Sequence, residues 1–416
     1  MRLSDIAIYV KDKINSSNIS LEEYVTTDCI LQNKRGREIA TNLPPQPCSL
    51  IHYKPGDVLI ANIRPYLKKI WYADIEGGAS SDVLVFRAKE GHSSEYLFAA
   101  LLQNTFFDYV MQGTKGSKMP RGDKEQIMRY EMPTLSISEE SIGKFILDIN
   151  KKLHLNEQIN QNLEALAKQL YYYWFVQFDF PNEEGKPYKS SGGKMKYSDE
   201  LQMDIPEAWN VCRLSEFICK NNTGDWGADE YSAKTPIEVG CIRGADIVKL
   251  NGLPKRYIKE SNKTKLLAEW DVVIEVSGGS PVQATGRSAF ITPGVIKRNG
   301  GKLTCSNFCH AFSFSDFRYS SYFIYVWKMF YDNNIMFNYE GKTNGIKNFM
   351  TETFLANKWV KAPEEIAYIF FNRVKELYAK IDANIEENNY LIKQRDELLP
   401  LLMNGQVSLN SDLSHD

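Results

Sequence analysis

Residues 138–180 constrain the fold more than any other stretch of the chain. Apolar residues stand at Ile142, Ile146, Ile149, Leu153, Leu163, Ala167, Leu170 and Trp174, and polar Asn156 and Asn160 complete the row. The gaps alternate between four and three. That is the spacing of a coiled-coil seam, because it keeps one stripe of a helix facing a partner. No Pro or Gly follows Gly143 within the run, and Ser136 with Glu139 fits a capping box at its start. A helix of about 40 residues would be roughly 60 Å long. The segment therefore reads as a rod rather than a core helix.

The chain holds a second copy. Pro363 followed by Glu364 and Glu365 is a strong helix start. At an offset of 228 residues (384 − 156), Asn384 and Asn388 repeat Asn156 and Asn160. The seam around them runs through Phe370, Val374, Leu377, Ile381, Leu391, Leu398 and Leu402. One position changes in kind, with Arg395 where the first rod has Ala167. Gly113 matches Gly341 at the same offset, and the Gly56–Ile60 run resembles Trp270–Ile274. Ser80-Ser81-Asp82 resembles Cys305-Ser306-Asn307. The pattern is a tandem duplication, in which a globular domain and a rod each occur twice. The two rods can bury their seams against each other, antiparallel, with paired Asn fixing register at some cost in stability. The alternative is that each rod packs only on its own domain.

The expected fold class is α+β, mixed, with a pseudo-two-fold internal repeat. Residues 1–137 form the first globular domain, 138–180 the first helix and 181–205 an exposed linker rich in Gly, Ser and charge. Residues 206–360 form the second domain, 361–403 the second helix and 404–416 a flexible tail. In the first domain a short helix is expected over residues 1–14, strands at 58–60, 70–73 and 82–86, and a helix over 95–111. In the second, strands are expected at 211–214, 271–276, 288–291 and 309–314, and a helix at 320–331.

Catalytic signatures are missing from the sequence. There is no GxGxxG loop and no Asn-Pro-Pro-aromatic motif. Gly341-Lys342-Thr343 resembles the end of a phosphate loop, but Met336 stands where the first Gly should be. Cys305, Cys309 and His310 fall in one short run without a second pair of ligands, so buried or surface thiols are the expectation and metal is not. No apolar window approaches a membrane span and no signal peptide is evident. Seven scattered Cys suit reduced thiols in a cytoplasm.

The net charge of −2 argues against a globally basic nucleic-acid binder. Basic loops are nonetheless concentrated in the globular domains. In the first domain they hold Lys34, Arg35, Arg37, Arg64, Tyr66, Lys68, Lys69, Lys115, Lys118, Arg121 and Lys124. In the second they hold Arg243, Lys255-Arg256, Arg287, Lys297-Arg298, Lys342 and Lys347. Cations in Gly-containing loops can approach phosphates, and Arg can read base edges in the major groove. The residues singled out as candidate DNA contacts are Lys34 to Lys124 of the first set, and Arg243, Arg287, Lys342 and Lys347 of the second.

At this point the chain resembles a known family. The runs Leu163–Ala167, Trp174–Pro181, Gly185–Gly193 and Ile205–Trp209 resemble the central conserved region of type I restriction–modification specificity subunits. Leu398–Gly405 resembles their C-terminal conserved region. Asn62–Tyr66 and Lys118–Asp123 resemble one subtype of the first target recognition domain, and Gly224–Gly227, Cys241–Gly244, Ser277–Pro281 and Gly286-Arg287 one subtype of the second. The resemblance implies a non-catalytic, cytoplasmic bacterial or archaeal subunit that binds double-stranded DNA. Each recognition domain would read half of a bipartite site, and the helix pair would set the spacing. It also implies two modification (methyltransferase) subunits and restriction subunits as partners, with S-adenosylmethionine, ATP and Mg²⁺ used by those partners and no cofactor on this chain. The alternative is a protein–protein scaffold without direct DNA reading.

Overall fold

A computed structural model describes residues 1–409 apart from 115, 117, 133–137, 279, 281, 344 and 345, and gives only the backbone of Lys342 and Thr343. The expected capping residue Ser136 and the end of the tail lie outside the described residues. The chain divides into two compact units. One holds Met1–Gln158 with Glu387–Asp416, the other Ile159–Glu386. The two long helices, Glu139–Tyr171 and Glu364–Met403, each contribute a segment to both units.

The first unit is built on two four-stranded sheets. One runs in the order Ala7–Tyr9, Val83–Ala88, Val58–Ala61, Ile70–Tyr72, all antiparallel. The other runs Lys13–Asn15, Ser49–Tyr53, Gly77–Ala79, Tyr24–Val25, and its last pair is parallel. Val58, Leu59 and Ile60 are buried because the sheet is covered on both faces, which explains a continuous apolar run instead of alternation. One core joins this sheet to helices Ser94–Leu101 and Asn104–Gln112, to Ile142 and Ile146 of the first long helix, and to Leu399, Leu402 and Met403 of the second. Gly143 permits this closeness, since a Cβ there would lie 2.4 Å from the Tyr96 backbone nitrogen.

Two expectations are corrected here. Residues 1–14 are not one helix: only Leu3–Ile6 is helical, and the alternating residues that follow become strands. Pairing of Ala7–Tyr9 with Val83–Ala88 outweighs the local helical tendency. The helix over 95–111 is interrupted at Leu102-Gln103, where extended Gln103 begins the second helix.

The second unit repeats the strand order. Ile218–Thr223, Cys309–Phe314, Val272–Glu275 and Ser288–Phe290 form an antiparallel sheet in that sequence. Beside it lie Lys255–Ile258, Ile237–Ile242 and Leu303–Cys305, with the last pair parallel. A third sheet joins Ser277-Gly278 to the hairpin Ile346–Phe349 and Glu340–Thr343. The core is aromatic: Phe175 meets Tyr322 at 4.8 Å and Phe370 at 4.9 Å, so both long helices and helix Tyr319–Asp332 are stapled by rings.

The stretch expected as an exposed linker also folds onto this unit. Phe180 stacks between Tyr188 and Trp209 with ring centres 4.7 Å from each, and Asp179 accepts from the Ser190 backbone and hydroxyl at 2.7 and 2.6 Å. Met195–Ser198 and Met203–Pro206 then pair as a hairpin. Its Gly and Ser residues serve turns, while Phe180, Tyr188 and Trp209 anchor the segment. The first α-helix ends at Tyr171 with a π-turn over Tyr172–Val176, short of the expected end near 180.

Side chains of the two long helices meet at the polar seam positions. In the first unit Asn156 Nδ2 donates to Asn388 Oδ1 at 2.8 Å and to Glu387 Oε2 at 2.6 Å, and Arg395 donates to Asn150 Oδ1 at 3.3 Å. In the second unit Asn384 Nδ2 donates to Asn160 Oδ1 at 2.8 Å. Around them Ile142, Ile146, Ile149, Phe370, Val374 and Ile381 are buried, while Leu153, Leu163, Leu170, Leu377, Leu391 and Leu398 are half-buried.

Candidate nucleic-acid interface

In the first unit, strand Val58–Ala61 leaves the sheet at Asn62 and Ile63 pairs with Arg121. Two loops far apart in sequence are thereby joined. The Arg64 backbone donates to Pro120 O at 2.8 Å, and the Gly122 backbone to Asn62 O at 3.3 Å. Gly122 is required at this crossing, because a Cβ there would come 2.8 Å from Asn62 Oδ1. Pro65 opens a single 3₁₀ turn, Pro65–Leu67, flanked by Arg64 at φ 54° and Lys68 at φ 50°. Each left-handed non-Gly residue costs about 1 kcal/mol or more. The Arg64 and Tyr66 side chains on this turn are both exposed.

The result is an exposed cluster of Arg64, Tyr66, Lys118 and Arg121. Arg64 and Lys118 have no side-chain partner among the described residues. Tyr66 is 50% exposed. The Arg121 side chain pairs with Asp82 at 3.3 Å and stays largely in solvent. Next to Ile63, Asn62 is buried, and its Oδ1 has no partner among the described residues.

The other first-unit candidates are taken up by the protein itself. Lys34 is buried and faces Asp396 at 3.5 Å, and burial lowers its pKa to about 8. Arg35 grips Glu157 at 2.7 and 2.8 Å. Arg37 donates to Glu22 O at 2.7 Å and lies 4.4 Å over the Trp71 ring. The expectation of an open phosphate-binding loop at 34–37 is therefore corrected. Lys68 donates to Asn104 at 2.8 Å and Lys69 to Thr27 O at 2.5 Å. Lys124 donates to the Tyr9 hydroxyl at 2.9 Å. Lys115 lies outside the described residues.

In the second unit most of the expected cations are also internal. Arg287 holds buried Glu275 through two bonds of 2.6 and 2.8 Å and donates to Gly244 O at 2.8 Å. The bonds to Glu275 push its pKa upward, so the charge is fixed in the fold. Lys347 is buried between Glu340 at 2.9 Å and the Phe337 ring. Arg243 pairs with Asp246 at 2.7 Å but remains 45% exposed. The Lys342 side chain lies outside the described residues. The corrections for Arg287 and Lys347 share one physical reason: a Lys or Arg near a turn reads as exposed until the strand pairing that sets a carboxylate of the neighbouring strand against it is known.

What the second unit exposes instead is aromatic and amide-bearing. Ser277 Oγ donates to Asn348 Oδ1 at 2.6 Å, where the strand leaving the sheet meets the hairpin. Val276 is tied to Phe308 O at 2.8 Å, as Asn62 is tied to Asp82 O at 2.8 Å in the first unit. Trp226 donates its backbone N–H to Asn307 Oδ1 at 3.2 Å and carries Arg256 over its ring at 4.5 Å. Phe308 and Trp226 are both exposed. The quoted runs Gly224–Gly227 and Ser277–Pro281 were the sequence signals for Trp226 and Ser277; nothing in the sequence marked Phe308 or Asn348.

Neither alternative chemistry finds a site among the described residues. Gly341-Lys342-Thr343 lies in strand Glu340–Thr343, not at a helix N-terminus. Cys305 and Cys309 are core thiols, and burial pushes Cys309 up to about 12. No group of three metal-ligating side chains occurs among the described residues. No described helix is long and apolar enough to cross a membrane.

No protein-family model matches the chain. It is similar to the type I restriction enzyme MjaIX specificity subunit of Methanocaldococcus jannaschii, with 26% identity over 90% of this chain and 82% of that one. It is also similar to the type I restriction enzyme HindI specificity subunit of Haemophilus influenzae, with 23% identity over 97% and 98%. Among solved structures, the type I restriction–modification S subunit from M. genitalium superposes with a TM-score of 0.56 at 12% identity, covering 97% of this chain and 95% of that one. The chain thus shares the S-subunit fold, and its curated homologues carry the specificity-subunit name.

Proposed function

We propose that the chain is the DNA sequence-recognition subunit of a type I restriction–modification complex. The observation that carries this reading is the repeated crossing at the end of the same sheet. In each unit a strand leaves a sheet of one strand order and pairs with a distant segment, and exposed side chains gather there. In the first unit these are Arg64, Tyr66, Lys118 and Arg121; in the second, Trp226, Phe308 and Asn348 beside half-buried Ser277. Cations positioned on backbone phosphates and amides or aromatics at base edges are the parts a duplex reader needs.

The two long helices form an antiparallel coiled coil in this reading, and their length sets the distance between two half-sites. The chain is the product of an internal duplication, each half supplying one recognition domain. It carries no catalytic step. Two modification subunits dock on it and bring S-adenosylmethionine; restriction subunits bring ATP and Mg²⁺ chemistry. This assignment is supported by relatives that are named as subunits of an enzyme along nearly their whole length. The complex works in the cytoplasm of a bacterium or archaeon.

A protein–protein scaffold is the second reading, favoured by the number of cations held internally. Selection from a random duplex pool, by the full chain with its modification subunits, separates the two. Recovery of a two-part motif, with binding that weakens steeply as salt rises, supports the DNA reader. A pool that stays random leaves the scaffold.

A further inference from the structure

Each recognition unit is bound to the long helices by charged side chains. In the first unit the loop around Asn33 and Lys34, both at positive φ (58° and 61°), reaches the two helices at once. Arg35 grips Glu157 of the first long helix, and Lys34 faces Asp396 of the second. The same loop donates backbone bonds of 2.9 Å from Asn33 to Leu67 O and from Lys34 to Lys68 O. Leu67 and Lys68 close the turn that carries Arg64 and Tyr66. An unbroken chain of bonds thus runs from the helices to the exposed cluster.

The second unit reaches the same end with different parts. Helix Pro293–Arg298 abuts the second long helix at Gly294, where a Cβ would sit 2.3 Å from the Asp382 carboxyl carbon. Asp382 accepts from Thr292 Oγ1 at 2.6 Å and from Arg298 Nη1 at 2.5 Å, and Lys297 lies 2.8 Å from Glu386. Arg298 and Asp382 are nearly buried. Desolvated pairs of this kind hold one geometry, because removing either partner strands the other charge. Lys34 and Arg298 are buried in these pairs, Arg35 is partly exposed, and Lys297 meets Glu386 at the surface.

We propose that Lys34 and Arg35 in the first unit, and Thr292, Lys297 and Arg298 in the second, are positioning residues that fix each recognition domain's orientation on the helices and so restrict the complex to one half-site spacing. The inference rests on the DNA-reader assignment. It assigns these residues to spacing and not to base identity.

The test is selection from duplexes in which the two recovered half-sites are separated by spacers of varied length. The full chain is used with its modification subunits. Wild type should retain one spacing. Arg35→Glu should keep both half-site words but raise recovery of spacers one base pair longer or shorter by at least about 3-fold, the scale of a partly exposed ion pair. Adding Glu157→Arg should restore the single spacing. Asp382→Asn, which keeps a partner for Thr292, is read the same way in the second unit and serves if Arg35→Glu fails a thermal melt. A single spacing in the folded variants overturns the inference, as does loss of a half-site word that the charge swap does not restore. A wild-type pool without a two-part motif overturns the DNA-reader assignment and the inference with it.

Discussion

Replacing Arg287 with Ala separates the reading of that residue as a DNA contact from its reading as part of the fold. Its guanidinium makes two bonds to Glu275 and one to Gly244 O. Glu275 is buried, so truncation leaves a carboxylate in the core without its counter-charge. Breaking a buried pair from one side costs about 3–5 kcal/mol. For a unit of this size each kcal/mol moves Tm by about 2–4 °C, which predicts a fall of about 6–20 °C. Fluorescence reports the right unit, since Trp174, Trp209, Trp226, Trp270, Trp327 and Trp359 lie in it and only Trp71 lies in the other. Following one unit also avoids treating a two-unit chain as a single two-state transition. Adding Glu275→Gln should recover a large part of the loss, because the stranded charge is gone. An Arg287→Ala chain that melts like wild type and fails at one half-site would refute this assignment and return Arg287 to the DNA surface.

Three further outcomes follow from the same geometry. Arg64→Ala and Arg121→Ala should leave the melt within about 0.5 kcal/mol of wild type, since neither side chain is buried. Each should weaken duplex binding, lowering the salt slope by about 1 if the contact is to phosphate or relaxing one base position by about 1–3 kcal/mol if it is to a base; a variant with neither change is not at the interface. Lys34 titrates lower in the folded chain (about 8) than its ordinary 10.5, so between those values the unfolded chain binds more protons and stability rises with pH. Lys34→Met should flatten that rise in urea melts of the first unit, and an unchanged slope would remove Lys34 as its source. Four residues inserted after Asn156 should lengthen the spacing between recognised half-sites; an unchanged spacing would end the role of the helices as a ruler.

The sequence was most legible where a pattern repeats at a fixed period. Helix Glu364–Met403 begins right after Pro363, and strand Cys309–Phe314 falls at its expected position. Legibility failed where a side chain's fate depends on a distant partner. Arg35 waits on Glu157, 122 residues away, while Arg287 and Lys347 meet Glu275 and Glu340 only through strand pairings that residue spacing alone does not reveal. The cluster at Arg64 was half legible: both loops were picked out as basic, but their junction through Ile63 and Arg121 is a tertiary fact. The segment 181–205 is mostly exposed, as its Gly, Ser and charge suggest, but it is held in place by Tyr188 stacking on Phe180 and by a hairpin that its composition did not announce.

The polar seam residues bear on why such a long helix carries Asn where Leu would bind more tightly. Asn156 is nearly fully buried, and although its Nδ2 has two acceptors, its Oδ1 has no partner among the described residues. An unsatisfied buried acceptor costs about 1–3 kcal/mol, so the site is held below its attainable stability. A slide of one helix along the other would be worse, because Asn156 would lose Asn388 and Glu387 and the corresponding bond between Asn160 and Asn384 would break as well. Arg395 adds an asymmetric mark. It is buried opposite Asn150, whereas the equivalent position of the first helix is buried Ala167. A register that placed the Arg in the Ala environment would bury an unpaired charge, so the sequence excludes that pairing as well as simple slippage. In a molecule whose proposed output is a distance between two short words, stability given up for register is the trade the seam makes.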